Sequence, residues 1–397
     1  MKAVVIGAGR VGCGFLGHLL AEAGHELVVV ARDRLVAERI NRHRGYLVRM
    51  VGAGMEPQEL KITGVRAVLA DDRRRVAEEI AGSALVGTAV GTRQLDQVAP
   101  SIAAGLRLAG SPVNVVACEN AADPGGLLRR AVVRASAAAD DVAVHGFASG
   151  LAFRIVAERV MDHDARVPLT FTADSDRRLV VDGAGLVGAL PAIHGLELTR
   201  SYPAWVRRKL YTFNAAHAAA AYLGRLKGYT YIHAAVRDPQ IRKVVWQVSE
   251  LGTAGIRARY GADLARGSGP GSVLPRLDNA ALDDTVDRVA ADPLRKLAAQ
   301  ERLAGAAVCA QEAGLRPVAH ALVIAAAIRI AREDGATTLS PAELLRTLCG
   351  LDPAAETGRN VLDQLSHWDS VPAGAVLADL HSGAWAWRSK NLAGRAA

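Results

Sequence analysis

Within residues 207–224, RRKLYTFNAAHAAAAYLG, three polar side chains, Lys209, Asn214 and His217, interrupt an otherwise apolar run. Asn214 and His217 stand three apart and share a helical face, and Lys209, eight residues before His217, falls about 80° away at the 100° step of an α-helix. An arc of ~140° holds all three. The neighbours Leu210, Phe213, Ala218 to Ala221 and Leu223 are apolar, so this face reads as buried rather than solvated. Burial and nearby cations, here Arg207 and Arg208, disfavour the charged form of a lysine. A lysine neutral near physiological pH takes the proton of an alcohol, while an asparagine amide and a histidine N–H hold the same oxygen as negative charge develops on it. The pattern predicts acid–base chemistry at a carbon–oxygen bond.

Such chemistry needs an electron acceptor, and the chain start offers a place for one. KAVVI suits a central parallel strand, GAGRVGCGF is a glycine-rich turn, FLGHLLAEAG has helical spacing with Gly24 at its C-cap, and ELVVVAR is a second buried strand. Gly7, Gly9 and Gly12 form G-x-G-x-x-G in that strand–turn–helix context, the first for the tight turn, the second for close approach of a pyrophosphate, the third for helix packing. Arg10 and Val11 inside the loop, and Val90 beyond the apolar run ALVGTAVG, are expected to line the same site. The second strand ends in Ala31, Arg32, Asp33 and Arg34. A carboxylate at its end serves the ribose of NAD and an arginine serves the 2′-phosphate of NADP. Asp33 reaches the ribose only from a tight loop, so Arg32 favours NADP over NAD.

The elements that position these groups follow from the alternation of apolar runs (residues 84–91 and 113–120) with helical stretches such as DRRRVAEEIA and DQVAPSIAAGLRLA, which predicts a doubly wound α/β sheet. Residues 168–183, PLTFTADSDRRLVVDG, read as antiparallel strands extending it. From about Pro203 the chain turns to long helical segments rich in Ala, Leu and Arg, and HGLELTRSYP supplies a boundary near residues 195–203. The expected organisation is a Rossmann-type domain over 1–200 and a mostly α-helical substrate domain over 201–397, with RGSGPGS as a loop inside the second.

A chain of 397 residues exceeds the size of one core, and with half its residues hydrophobic and 22% charged it describes a folded globular protein. The formal charge of +8 comes from 48 Lys and Arg against 40 Asp and Glu, scattered rather than gathered, and aromatics are 4%, so no nucleic-acid partner is expected. Cys13, Cys118, Cys309 and Cys349 lie far apart, without CxxC or His at metal spacing, so the reading is no metal site, no disulfide framework and a reducing cytoplasm. The N-terminal apolar run is too short for a signal peptide, and no run of 18 apolar residues suggests a membrane span. The longest candidate, HALVIAAAIRIA, is broken by Arg329 and reads as a buried helix. A monomer or weak homo-oligomer is expected.

The segment KLYTFNAAHAAAAYLG resembles the K-x4-N-x2-H helix of the mannitol dehydrogenase family, the polyol-specific long-chain dehydrogenases. MKAVVIGAGRVGCGFLGHLLAEAG, LVGTAVG, VVACEN, ALPAIHGLELT and DPLRKLAAQERL are similar to its segments in order and spacing, and the members acting on a polyol phosphate come nearest. The resemblance implies that Lys209 is the general acid/base, Asn214 and Asn120 polarise the reacting oxygen, His217 contacts substrate, and no metal takes part. It implies a polyol, ketose or cyclitol substrate. Arg154 of FRIVA, and Arg295 and Lys296 of PLRKL, are then candidates for holding the substrate or its phosphate. The family's DRIVP has become FRIVA, so Phe153 and Ala157 replace an Asp and a Pro, and WVRRK lacks the family's acidic character before the lysine. A keto acid reductase of the ketopantoate type and a non-catalytic NADP(H) sensor are the alternative readings.

Overall fold

The computed structural model describes residues 1–370 apart from Ala53, Met55, Ala139, His163 and Ala165. The chain divides into two compact units, Met1–Val206 and a second that begins at Arg207.

The first unit is built on β1 (Lys2–Ile6), β2 (Glu26–Ala31), β3 (Gly45–Val51), β4 (Gln58–Thr63), β5 (Val65–Leu69), β6 (Leu85–Thr88), β7 (Asn114–Ala117), β8 (Gly146–Ala152), β9 (Val156–Val160), β10 (Thr170–Asp174), β11 (Leu179–Asp182) and β12 (Leu196–Thr199). Eight of them form one sheet in the order β12-β11-β8-β7-β6-β1-β2-β5. From β8 to β5 every pair is parallel, while β11 runs antiparallel to β8 and carries β12 parallel to itself. Both faces are covered, which is why the central strands are continuous apolar runs. Ala3, Val5, Leu27 and Val29 enter one core, and Val4, Ile6, Val28 and Val30 enter the other. Helices Arg73–Ala81, Leu95–Leu108 and Pro124–Ala135 close the second core through Val76, Ile80, Ile102 and Leu128. The first is closed by Phe15, Leu16, Leu19 and Leu20 from the helix after the glycine loop, and by a second sheet.

That second sheet, ordered β4-β3-β10-β9, corrects the reading of residues 168–183. Only β11 extends the main sheet antiparallel; β10 instead lies parallel to β3 and antiparallel to β9. The cause is packing onto the nucleotide-side helix, where Phe171 and Ala173 of β10 are fully buried. A β-carbon on Gly14 would stand 2.7 Å from Val156 Cγ1 and 3.1 Å from Phe171 Cβ, so the bare backbone there admits the sheet. This helix opens with a π turn, Gly12–Gly17, before α-geometry resumes at His18–Glu22. Tyr46 Oη of β3 donates to the Cys13 carbonyl of the π turn at 3.0 Å, tying the sheet to it.

In the second unit the described residues beyond Arg207 form helices and connecting turns, with one isolated bridge, Tyr231 to Thr285. The helix Ala215–Leu226, with Ala218 to Ala221 buried, packs on the long helix Pro239–Tyr260. Val318–Glu333, the apolar run noted above, is a largely buried helix. RGSGPGS is a loop only as far as Gly269, because Pro270 takes the first position of helix Pro270–Leu277, where a missing N–H costs nothing. Among the described residues no helix is long and apolar enough to cross a membrane.

Candidate active site

The glycine loop closes tightly where β1 ends. Gly7 has φ +112°, and a β-carbon there would stand 2.5 Å from the Ala89 carbonyl; one on Gly12 would stand 1.8 Å from the Gly7 carbonyl. A β-carbon on Gly9 would meet nothing within 4 Å, so the loop leaves open space where backbone N–H groups can face a pyrophosphate. A cavity of about 800 Å³ continues from Gly7 and Gly9 past Arg32, Asp33, Arg73 and Val90. These residues fit the adenosine half of a dinucleotide. Val11 is half-buried, and the Arg10 guanidinium donates to the Ala157 carbonyl at 3.2 Å. Asp33 Oδ1 accepts the Leu35 N–H at 2.9 Å as the N-cap of helix Arg34–His43, while Arg32 is exposed on the cavity wall.

Asn120 is exposed on the loop after β7. Its neighbour Glu119, which sequence reasoning passed over, is buried, with Oε1 accepting the Val90 N–H at 3.0 Å and Oε2 accepting Thr88 Oγ1 at 3.0 Å. Burial pushes the Glu119 carboxyl up, against the pull of those two donors. Glu119 thereby joins the loop after β7 to the loop after β6, which carries Ala89 and Val90 of the cavity wall. The available signal was a carboxylate closing an apolar strand.

In the second unit Lys209, Asn214 and His217 are each half-buried, but the helix carrying them is not regular. Helix Tyr202–Lys209 passes into a π turn at Leu210–Asn214 before Ala215–Leu226, and the Ala215 N–H reaches back five residues to the Leu210 carbonyl. The 100° step therefore does not hold between Lys209 and Asn214, and the ideal arc is replaced by the wider turn. The arginines before Lys209 engage their own surroundings: Arg207 donates to Tyr260 Oη at 3.0 Å and Arg208 to the Arg266 carbonyl at 2.7 Å.

His217 Nε2 lies 2.8 Å from Asp284 Oδ2, and Arg288 Nε donates to Oδ1 at 2.8 Å. Burial lowers the His217 pKa more than Asp284 raises it, so the neutral ring is favoured. Burial pushes the Asp284 carboxyl up, but His217 and Arg288 outweigh it and hold it below the usual range. The expected donation from a His217 N–H to the reacting oxygen is thus corrected at Nε2, which is engaged by Asp284.

The three cations expected at substrate are placed differently. Arg154 is buried: Nε donates to the Asp176 carbonyl (2.8 Å), Nη1 to the Gly14 carbonyl (3.2 Å), and Nη1 lies 2.7 Å from His18 Nδ1. Its guanidinium is committed inside the first unit, which corrects the reading of Arg154 as a ligand-facing group. Lys296 is buried too, its ammonium donating to the carbonyls of Val289 and Ala291, and burial followed by the Arg302 and Arg295 charges lowers its pKa to about 7. Arg295 is exposed and pairs with Asp292 at 2.6 Å. Arg295 and Lys296 therefore do not act as a pair.

A Rossmann unit with this glycine loop and cavity, followed by a helical unit, defines an oxidoreductase that binds NAD(P). The chain belongs to the mannitol dehydrogenase family: residues 1–195 match the mannitol dehydrogenase Rossmann domain and residues 202–366 the mannitol dehydrogenase C-terminal domain. It is similar in fold to Pseudomonas fluorescens mannitol 2-dehydrogenase, solved as a ternary complex with NAD and D-mannitol, at TM-score 0.76 and 16% identity over 96% of this chain and 94% of that one. A D-sorbitol dehydrogenase in substrate-free form is similar at TM-score 0.74 and 16% identity, covering 95% of each chain.

Proposed function

We propose that the chain interconverts a secondary alcohol and a ketone on a polyol, sugar or cyclitol that carries a phosphate, with Lys209 as general acid/base, no metal, and NADP preferred to NAD. The observation that carries this reading is the π turn Leu210–Asn214, which sets Lys209 at one end and Asn214 at the other, with His217 fixed one turn on by Asp284. Irregular turns of this kind concentrate at functional sites. When bound, the nicotinamide accepts or returns hydride. Lys209 takes the alcohol proton in one direction and returns it in the other. Asn214 and Asn120 donate amide hydrogens to the oxygen as charge develops, in the roles the family resemblance implies.

The preference for NADP rests on Asp33, whose carboxylate caps a helix, and on Arg32 and Arg73, both exposed on the wall of the same cavity. Two guanidinium groups there suit a 2′-phosphate. A polyol of the kind present in the mannitol 2-dehydrogenase complex is the substrate class favoured, and Arg295 is the candidate for its phosphate. Free, buried cysteines accord with a reducing cytoplasm.

The test mixes NADPH with fructose 6-phosphate and related ketoses and follows nicotinamide absorbance. Loss of absorbance with the unmutated chain and none with Lys209→Ala supports the reading. Tight NADPH binding without turnover across ketoses, polyols and cyclitols overturns it in favour of a nucleotide sensor.

A further inference from the structure

The ring of His217 is held from a segment 67 residues away in the chain. Asp284 Oδ2 faces Nε2 at 2.8 Å, and Oδ1 takes both Nε and Nη2 of Arg288. The carboxylate is itself buried, and its backbone carbonyl accepts the Ile232 N–H at 2.9 Å beside the Tyr231–Thr285 bridge, so its position is fixed. Phe213 packs against the ring with centroids 5.6 Å apart, and Arg276 lies over Phe213 at 4.4 Å. An ionised carboxylate only accepts, so the nitrogen facing it must carry the hydrogen. In a neutral imidazole the other nitrogen then holds a lone pair. Nδ1 has no hydrogen-bond partner among the described residues.

We propose that Asp284, tied by Arg288, is a positioning residue that locks His217 in the Nε2–H tautomer, so that Nδ1 is presented as an acceptor for a substrate hydroxyl. This rests on the reading above, in which His217 meets substrate. The lock selects by chemistry: a hydroxyl on the carbon chain donates to Nδ1, whereas the carboxylate of a keto acid would set lone pair against lone pair. The helix residue alone does not distinguish those ligands, because a free imidazole offers either tautomer.

Nitrogen NMR of the unmutated chain, without substrate, reads the tautomer directly; Nε2–H is expected, and Nδ1–H overturns the proposal. In Asp284→Asn the tautomer preference is lost, and kcat/KM for the best polyol or ketose falls roughly 10- to 100-fold, mainly through KM. In a His217→Gln background the same Asp284→Asn change costs less than threefold, because the group it acts through is gone. An equal loss in both backgrounds means that Asp284 merely supports the fold and overturns the assignment. Absence of turnover in the unmutated chain bears on the proposed function alone, since the tautomer is read without substrate.

Discussion

The carbonyl oxygen of Tyr211 faces Gly252 so closely that a β-carbon on residue 252 would stand 1.9 Å from it. Gly252 belongs to the long helix Pro239–Tyr260 and Tyr211 to the π turn Leu210–Asn214, so the backbone between Lys209 and Asn214 is seated on a bare stretch of a neighbouring helix. Thr212 Oγ1, donating to the Arg208 carbonyl at 2.7 Å, secures the adjoining residue. Carbonyls displaced from the regular ladder need such accommodation.

Gly252→Ala must therefore move the turn or the helix. Overpacking of this kind costs roughly 1–3 kcal/mol. We expect a lowered melting temperature and a kcat reduced at least tenfold, with NADPH affinity unchanged in equilibrium titration. A kcat equal to that of the unmutated chain would show that the turn's geometry does not matter to turnover.

Cofactor choice separates two neighbouring residues. Arg32→Asp should reduce the NADP over NAD preference in kcat/KM by about 10- to 100-fold, since a hydrogen bond to a charged group contributes about 1.5–3 kcal/mol, and Arg73→Ala should reduce it by a lesser factor. Asp33→Ala removes a helix cap, costing about 1 kcal/mol of stability, and should leave the ratio alone. A changed ratio in Asp33→Ala would assign the carboxylate to the ribose.

Two buried histidines make the fold acid-sensitive. His18, against Arg154, and His320 are 1% and 0% exposed, and burial lowers each pKa from 6.5 to about 4. The unfolded chain binds these protons at higher pH than the folded one, so their contribution is complete above pH 6.5 and is lost as pH falls toward 4. The slope is about 1.4 kcal/mol per pH unit for each group. Neither ring nitrogen of His320 has a partner among the described residues, so His320→Leu should leave stability at pH 8 within about 1 kcal/mol and flatten the acid limb of denaturant unfolding curves. An unchanged acid limb would remove His320 from this account.

Lys296→Met distinguishes a strut from a substrate ligand. Leaving the carbonyls of Val289 and Ala291 without their donor should cost roughly 1–3 kcal/mol of stability, measured by denaturant titration, while KM for a phosphorylated substrate changes less than threefold. A KM rise above tenfold at unchanged stability would restore a binding role.

What could be read in advance divides by physical range. The main sheet was legible because strands buried on both faces, such as KAVVI and ELVVVA, must be apolar throughout, and because Gly7, Gly9 and Gly12 answer to local sterics. The partner of β10 was not, since its pairing with β3 spans more than a hundred residues and depends on the missing side chain of Gly14. Lys209, Asn214 and His217 stood out by type and spacing, but the π turn among them reflects seating against Gly252, and Asp284 meets His217 only after the chain has folded. Arg154 shows the opposite case, where a charged residue in a recognisable segment is a buried tie between Gly14, His18 and Asp176.

A π turn is an α-helix that has taken in one extra residue. Because the turn's N–H groups reach back five residues instead of four, Asn214 stands to Lys209 nearly as an i+4 residue does in a regular helix, whereas an unbroken helix of the same length would set the two about 140° apart. The relation between Lys209 and Asn214 is in this sense a matter of counting. Deleting one residue from 210–213 would lose the turn and keep that relation, while straightening the helix with every residue kept would undo it.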